Sequence, residues 1–207
     1  MQASIQRAID QLAQPLPADA ATQFATLLAE LVRWNSKFNL TAIRDPDEMI
    51  TGHLLDSLVA RPLLQGRRVL DVGTGAGFPG LPLAICEPDR EFDLVDGNNK
   101  KIQFVQHITA LLGLQNVKAV KARTEDYAPA GRFDTVIARA VGPLARLVAM
   151  AGHHVGENGV FIALKGRNAA EELQELPARW TCEIQELSVP GLEQGSRHAV
   201  LLRPDRR

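Results

Sequence analysis

From Val69 the chain reads Val69-Leu70-Asp71-Val72 and then Gly73-Thr74-Gly75-Ala76-Gly77-Phe78-Pro79-Gly80. Few folds accommodate such a segment. A short β-rich run that meets four glycines within eight residues is a buried strand breaking into a tight turn before a helix. Glycine permits positive φ and lets backbone approach a ligand closely. A helix N-terminus aims its amides into the same space. In open α/β sheets that space lies beyond the carboxyl ends of the strands. A simple turn seldom needs so many glycines, so the loop reads as a ligand site.

The surrounding pattern agrees. Before residue 66 the apolar spacing is helical: Phe24, Leu27, Leu28 and Leu31 fall on one stripe. A shorter helix is expected at about 5–12, set apart by Gln14-Pro15-Leu16-Pro17. A third should start at Asp45-Pro46-Asp47-Glu48, with Asp45 as cap and Pro46 at the first helical position. After Gly66, strands are predicted at 67–72, 92–95, 117–121, 133–138 and 160–164, alternating with helices. A final antiparallel pair, 182–189 and 199–202, closes the sheet. The alternation predicts a doubly wound α/β sheet, Rossmann-like and mostly parallel with an antiparallel C-terminal strand. Residues 1–65 form a helical extension packed on the α/β domain of 66–207, and the two are expected to make one structural unit.

Two ligands compete for the loop. Gly75-x-Gly77-x-x-Gly80 matches the dinucleotide fingerprint. The glycine run starts earlier, however, as Asp-x-Gly-x-Gly-x-Gly from Asp71. A carboxylate there repels a pyrophosphate and attracts the α-ammonium of S-adenosylmethionine. Other strand ends carry ligand-type residues too. Asp96 follows the second strand, where a carboxylate accepts ribose hydroxyls. Thr124-Glu125-Asp126 follows the third, Arg139 the fourth and Lys165-Gly166 the fifth. A solvated loop charge explains any one of them; their coincidence at one rim carries the weight.

Composition removes other classes. With 45% hydrophobic and 23% charged residues the chain is globular rather than disordered. No apolar run approaches the ~18 residues of a membrane span. Met1-Gln2-Ala3-Ser4-Ile5 does not resemble a secretory signal, so a cytoplasmic location is expected. Two cysteines build neither a disulfide framework nor a structural zinc site, and no metal is expected. The net charge of −1 neither predicts nor excludes a nucleic acid, because a local basic patch suffices for phosphate contacts.

The sequence resembles the ribosomal small subunit methyltransferase G family, also called glucose-inhibited division protein B. The shared stretches are Asn39-Leu40-Thr41, Arg44-Asp45-Pro46 with Glu48-Met49, His53-Leu54-Leu55-Asp56-Ser57 and Asp71 through Pro82. Arg123-x-Glu125, Arg139-Ala140, Leu164-Lys165-Gly166 and Arg197-His198 continue the match. The resemblance implies a class I methyltransferase sheet with S-adenosyl-L-methionine as cofactor. It implies methyl transfer to N7 of a guanine in 16S rRNA, nucleotide 527 in standard rRNA numbering. It places Gly73, Phe78, Thr124, Glu125 and Arg139 on the cofactor, to which the strand-end reading adds Asp71, Gly75 and Asp96. One departure is local: many relatives have a serine after the second-strand aspartate, whereas this chain has Asp96-Gly97-Asn98. Asn98 is expected to cap the next helix instead.

The residues narrow the acceptor atom independently. Methylation at pyrimidine C5 usually needs a cysteine nucleophile. Cys86 falls on a helix behind the loop and Cys182 in the tail, so both read as core. Exocyclic amine methylation uses an Asn/Asp-Pro-Pro-aromatic motif after the fourth strand, where this chain has Ala138-Arg139-Ala140-Val141. Guanine N7 loses no proton and needs no general base, only positioning. No catalytic residue is therefore assigned, and Arg139 and Lys165 are positioning candidates. Lys165, Arg167, Arg197, His198, Lys100 and Lys101 are the RNA-binding candidates; Arg67-Arg68 reads as a solvated strand start. His53 and Asp56, three apart on one helix, read as a surface pair or as part of a lid over the cofactor. Trp34 and Phe38 read as core rather than as base-stacking platforms. Methylation of a small molecule or a protein, and nicotinamide-dependent oxidoreduction, are the alternatives. The oxidoreductase reading lacks a Tyr-x-x-x-Lys pair, since Tyr127 is the only tyrosine.

Overall fold

Apolar stripes and turn residues place the elements much as their spacing predicts. The computed structural model describes residues 1–12, 14–166, 170–192 and 197–205. Helix α1 (Gln2–Ile9) and helix α2 (Ala20–Phe38) pack against each other, α2 burying Phe24, Leu27, Leu28 and Leu31. Asn39 ends α2 in the left-handed conformation, φ 48°. Helix α3 (Pro46–Met49) is capped as expected: the Asp45 carboxylate accepts from the Asp47 and Glu48 amides. The helix then widens into a π-helical turn at Ile50–Leu55 before a short α4 (Asp56–Leu58).

Strands β1 (Arg68–Val72), β2 (Glu91–Asp96), β3 (Val117–Lys121), β4 (Phe133–Arg139) and β5 (Val155–Lys165) are parallel. Strands β6 (Trp180–Leu187) and β7 (Arg197–Pro204) complete a seven-stranded sheet in the order β3-β2-β1-β4-β5-β7-β6. Strand β7 is antiparallel to both its neighbours, the tail pair expected from the sequence. Helices α5 (Gly80–Cys86), α6 (Asn99–Leu112) and α7 (Leu144–Ala151) connect the strands. Asn98 caps α6 through its side-chain oxygen, and Gly113 closes it at φ 65°.

Two apolar clusters pack on the sheet. One joins Phe24, Leu28 and Leu31 of α2 with Met49, Leu54 and Leu58, helices α5 and α6, and sheet residues such as Phe92 and Ile162. The other joins α7 with Leu70, Val136, Phe161 and Trp180. The N-terminal helices thus share a core with the sheet. The π-helical turn sits where β1, β4 and β5 end, and it faces the glycine loop.

Candidate cofactor and acceptor site

Burial of Asp71 organises the loop. Its carboxylate is fully buried at the centre of the sheet, and Oδ2 accepts from the Thr74 hydroxyl (2.6 Å) and the Gly80 amide (2.8 Å). One acidic side chain thereby ties the first turn of the loop to the start of α5. Burial pushes its pKa up to about 7, against those two hydrogen bonds, which favour the ionised form. Its other oxygen, Oδ1, is buried without a hydrogen-bond partner. Asp71 is thus beneath the loop rather than on the cavity surface. It holds the loop from below, through Thr74 and Gly80, and does not line the cavity.

Gly73 and Gly75 both adopt positive φ, +64° and +60°. A Cβ on Gly73 would come within 2.9 Å of Val141; one on Gly75 would meet nothing nearer than 3.9 Å. Gly75 is therefore bare toward a cavity of about 670 Å³. Asp96 lines the same cavity and steadies the loop, its Oδ2 accepting from the Gly75 amide at 2.9 Å while Oδ1 accepts from Asn98. Phe78 and Lys101 complete this side.

The opposite side is built from the π-helical turn and the ends of β4 and β7. Asp56, buried, accepts from Arg139 Nη1 through Oδ2 (2.9 Å) and from Arg197 Nε through Oδ1 (2.7 Å). Arg139 Nη1 also donates to the Gly52 carbonyl, which the widened π-turn turns toward the site, and Nη2 lies 3.2 Å from His53 Nδ1. The His53 ring stacks on Phe78, centroids 4.8 Å apart. Burial, helped by the Arg139 guanidinium beside it, lowers the His53 pKa to about 4, so the ring is neutral at pH 7. Such π-turns recur at functional sites because they present backbone groups a regular helix would hide. Two guanidinium charges meet one carboxylate here, which leaves the cluster cationic.

Of the sequence candidates, Gly73, Gly75, Phe78, Asp96, Lys101, Arg139, Lys165 and Arg197 meet at this cavity. Thr124 and Glu125 do not. Thr124 is buried at the end of β3, its carbonyl accepting from His154 Nε2. Lys165 is already engaged: its ammonium bonds Glu172 at 2.7 Å and the Gly142 carbonyl, an arrangement that pins the loop after β4. Lys100 sits over the Phe38 ring at 5.5 Å, and the His198 Nδ1 lies 3.2 Å from the Gly166 carbonyl. Arg167 lies outside the described residues.

Four readings need correction. His53 and Asp56 are not a surface pair; both are buried, and their side chains bond Arg139 rather than each other. Phe38 is not core but 39% exposed, because α2 ends there and its ring points past the last packed turn. The segment 40–43 lines the cavity, which spacing alone did not reveal. Its signal was Asn39, a residue type tolerant of the left-handed conformation, at the end of an apolar stripe. Cys86 is core as expected, buried in α5 with its thiol raised to about 12, but Cys182 is not: it is exposed, because it falls on the edge strand β6. Among the described residues no group of three His, Cys, Asp or Glu could hold a metal, and no helix is long and apolar enough to cross a membrane.

Comparison with known proteins agrees with this geometry. The family model GidB, rRNA small subunit methyltransferase G, matches residues 20–200. A ribosomal RNA small subunit methyltransferase G from Idiomarina loihiensis is 43% identical over 203 residues, 98% of each chain. One from Aeromonas salmonicida is 47% identical over 180 residues, 86% of each chain. Among solved structures, a putative O-methyltransferase from Klebsiella pneumoniae superposes with a TM-score of 0.61 at 15% identity, covering 98% of this chain and 96% of that one. A SAM-dependent methyltransferase from Thiobacillus denitrificans, in complex with S-adenosyl-L-homocysteine, gives 0.51 at 13% identity, covering 72% and 94%. These two show the sheet to be that of class I methyltransferases. With a family match over most of its length and relatives above 40% identity, the chain belongs to the rRNA small subunit methyltransferase G family.

Proposed function

We propose that the protein methylates N7 of a guanine in 16S rRNA, the nucleotide at position 527, using S-adenosyl-L-methionine. The rRNA is free or within the small ribosomal subunit, and the site of action is the cytoplasm. The observation that carries the proposal is a single cavity with a bare glycine loop on one side and a cationic cluster on the other. Bound S-adenosylmethionine supplies a methyl group on a positively charged sulfur. The residues present fit it. Gly73 and Gly75 leave room for backbone contact, and the buried Asp71 Oδ1 is an acceptor without a partner beneath the loop. Asp96, the last residue of β2, lines the cavity where a strand-end carboxylate accepts ribose hydroxyls.

The acceptor side needs neither nucleophile nor base. Neither cysteine lines the cavity. The two carboxylates that do are engaged: Asp96 by Gly75 and Asn98, Asp56 by two arginines. The site's task is then to hold N7 in line with the methyl group and exclude water. Arg197 and Lys101 line the cavity, and Lys100 and His198 are their neighbours in the chain; basic groups so placed can reach RNA phosphates. Lys165 acts as a positioning residue through Glu172 and Gly142. Titration calorimetry with S-adenosylmethionine and with a nicotinamide nucleotide, followed by transfer of labelled methyl to small-subunit rRNA, tests the reading. Binding of the first alone and label in the RNA are expected. Tight nicotinamide binding, or label only in small molecules or protein, would overturn it.

A further inference from the structure

The geometry points to Thr41 as a hydrogen-bond donor that reads the exocyclic oxygen of the acceptor base. The inference rests on the guanine-N7 reading and adds to it a residue that selects the base. Proton directions follow from a chain that starts at Arg139. A guanidinium only donates. Its Nη2 lies 3.2 Å from His53 Nδ1, so Nδ1 is the acceptor and the neutral ring carries its proton on Nε2. Burial of His53 keeps the ring neutral. Nε2 lies 2.8 Å from Thr41 Oγ1, which must then accept. The Ile43 amide donates to the same oxygen at 3.2 Å.

A hydroxyl has two lone pairs and one proton. Both lone pairs of Thr41 are taken by donors from its own chain. The proton remains, it has no acceptor among the described residues, and Thr41 lines the cavity. The hydroxyl is therefore fixed as a donor and cannot accept from a ligand. The N7 edge of guanine offers two acceptors, N7 and O6, whereas adenine offers an amino donor beside its N7. A fixed donor pairs with O6 and repels the adenine amino group. Recognition of this kind discriminates strongly because the wrong base leaves buried groups unpaired.

The test pairs Thr41→Val, which keeps the shape and removes the donor, with a change of base. Target rRNA would carry guanine, hypoxanthine (O6 retained) or 2-aminopurine (O6 absent) at the methylated position. For guanine and hypoxanthine, Thr41→Val should lower kcat/KM about ten-fold, the worth of one lost hydrogen bond. Thr41→Ser should restore it. For 2-aminopurine, wild type and Thr41→Val should be equally slow, a comparison that cancels the different basicity of its N7. S-adenosylmethionine affinity should stay within two-fold, roughly the scatter of independent sites, which also reports that the variant is folded. Should Thr41→Val not fold, Thr41→Ala takes its place with the same expectation. An equal loss on 2-aminopurine, or a loss of cofactor affinity, would overturn the assignment of Thr41 while leaving N7 methylation intact. Wild-type enzyme that labels no guanine N7 overturns both.

Discussion

At the scale of single residues, two buried carboxylates carry opposite duties. Asp71 anchors the loop but is held near a pKa of about 7 by burial. Because this lies above the usual aspartate value, its protonated form is favoured in the folded chain. The stability this contributes is present below about pH 4 and is lost as pH rises through 7. Asp71→Asn keeps an oxygen for Thr74 and Gly80 and removes the ionisation. Relative to wild type the variant should gain about 2–3 kcal/mol between pH 5 and pH 8, measured by urea unfolding. A difference that does not change with pH would show the carboxyl ionising as it does in the unfolded chain. Asp56 instead gathers two arginines. Asp56→Ala would leave the partly buried Arg139 guanidinium without its carboxylate, with only the Gly52 carbonyl as a strong acceptor, and should cost about 2–3 kcal/mol. Asp56→Asn should cost less, and both should reduce methyl transfer. A folded Asp56→Ala variant with wild-type turnover would mean that the two guanidiniums need no common partner.

Elements add what residues alone cannot. The Asp45 cap fixes where α3 begins and hence where the π-helical turn is presented. Asp45→Ala should lower stability by about 1 kcal/mol, read as a shift in the denaturant midpoint with unchanged slope. Gly75→Val combines a strained φ of +60° with a branched side chain in the cavity. It should abolish S-adenosylmethionine binding while leaving the fold intact; unchanged affinity in calorimetry would remove the loop from the site. These elements were legible in different degrees. The strands through β4 and the Asp45 and Asn98 caps follow from local chemistry, and the sequence placed them within about two residues. The π-turn was not legible, because Met49, Ile50, Leu54 and Leu58 have the spacing of an ordinary helix. His53 and Asp56 looked solvent-facing for the same reason. Their partners, Arg139 and Arg197, lie 83 or more positions away, and helical periodicity carries no information about such contacts.

Across the whole molecule, the helical N-terminus and the sheet are bound by one apolar cluster. Phe24→Ala, at a fully buried position of α2, should cost about 3–5 kcal/mol. It should lower the Tm of a single calorimetric transition; two separated transitions would show that residues 1–65 unfold independently. This shared core holds Thr41, His53 and Asp56 against a loop that belongs to the sheet, so the cavity is an assembly of both parts. The central claim is the atom that receives the methyl group. Small-subunit rRNA, naked or in 30S particles, would be incubated with the protein and labelled S-adenosylmethionine, then cleaved with borohydride and aniline, which cut at N7-methylguanine. One cut, at guanine 527, is predicted, with the methyl label leaving the RNA on the excised base. Label that resists cleavage because it sits on pyrimidine C5 or on an exocyclic amine would contradict the account, as would RNA that takes up no label.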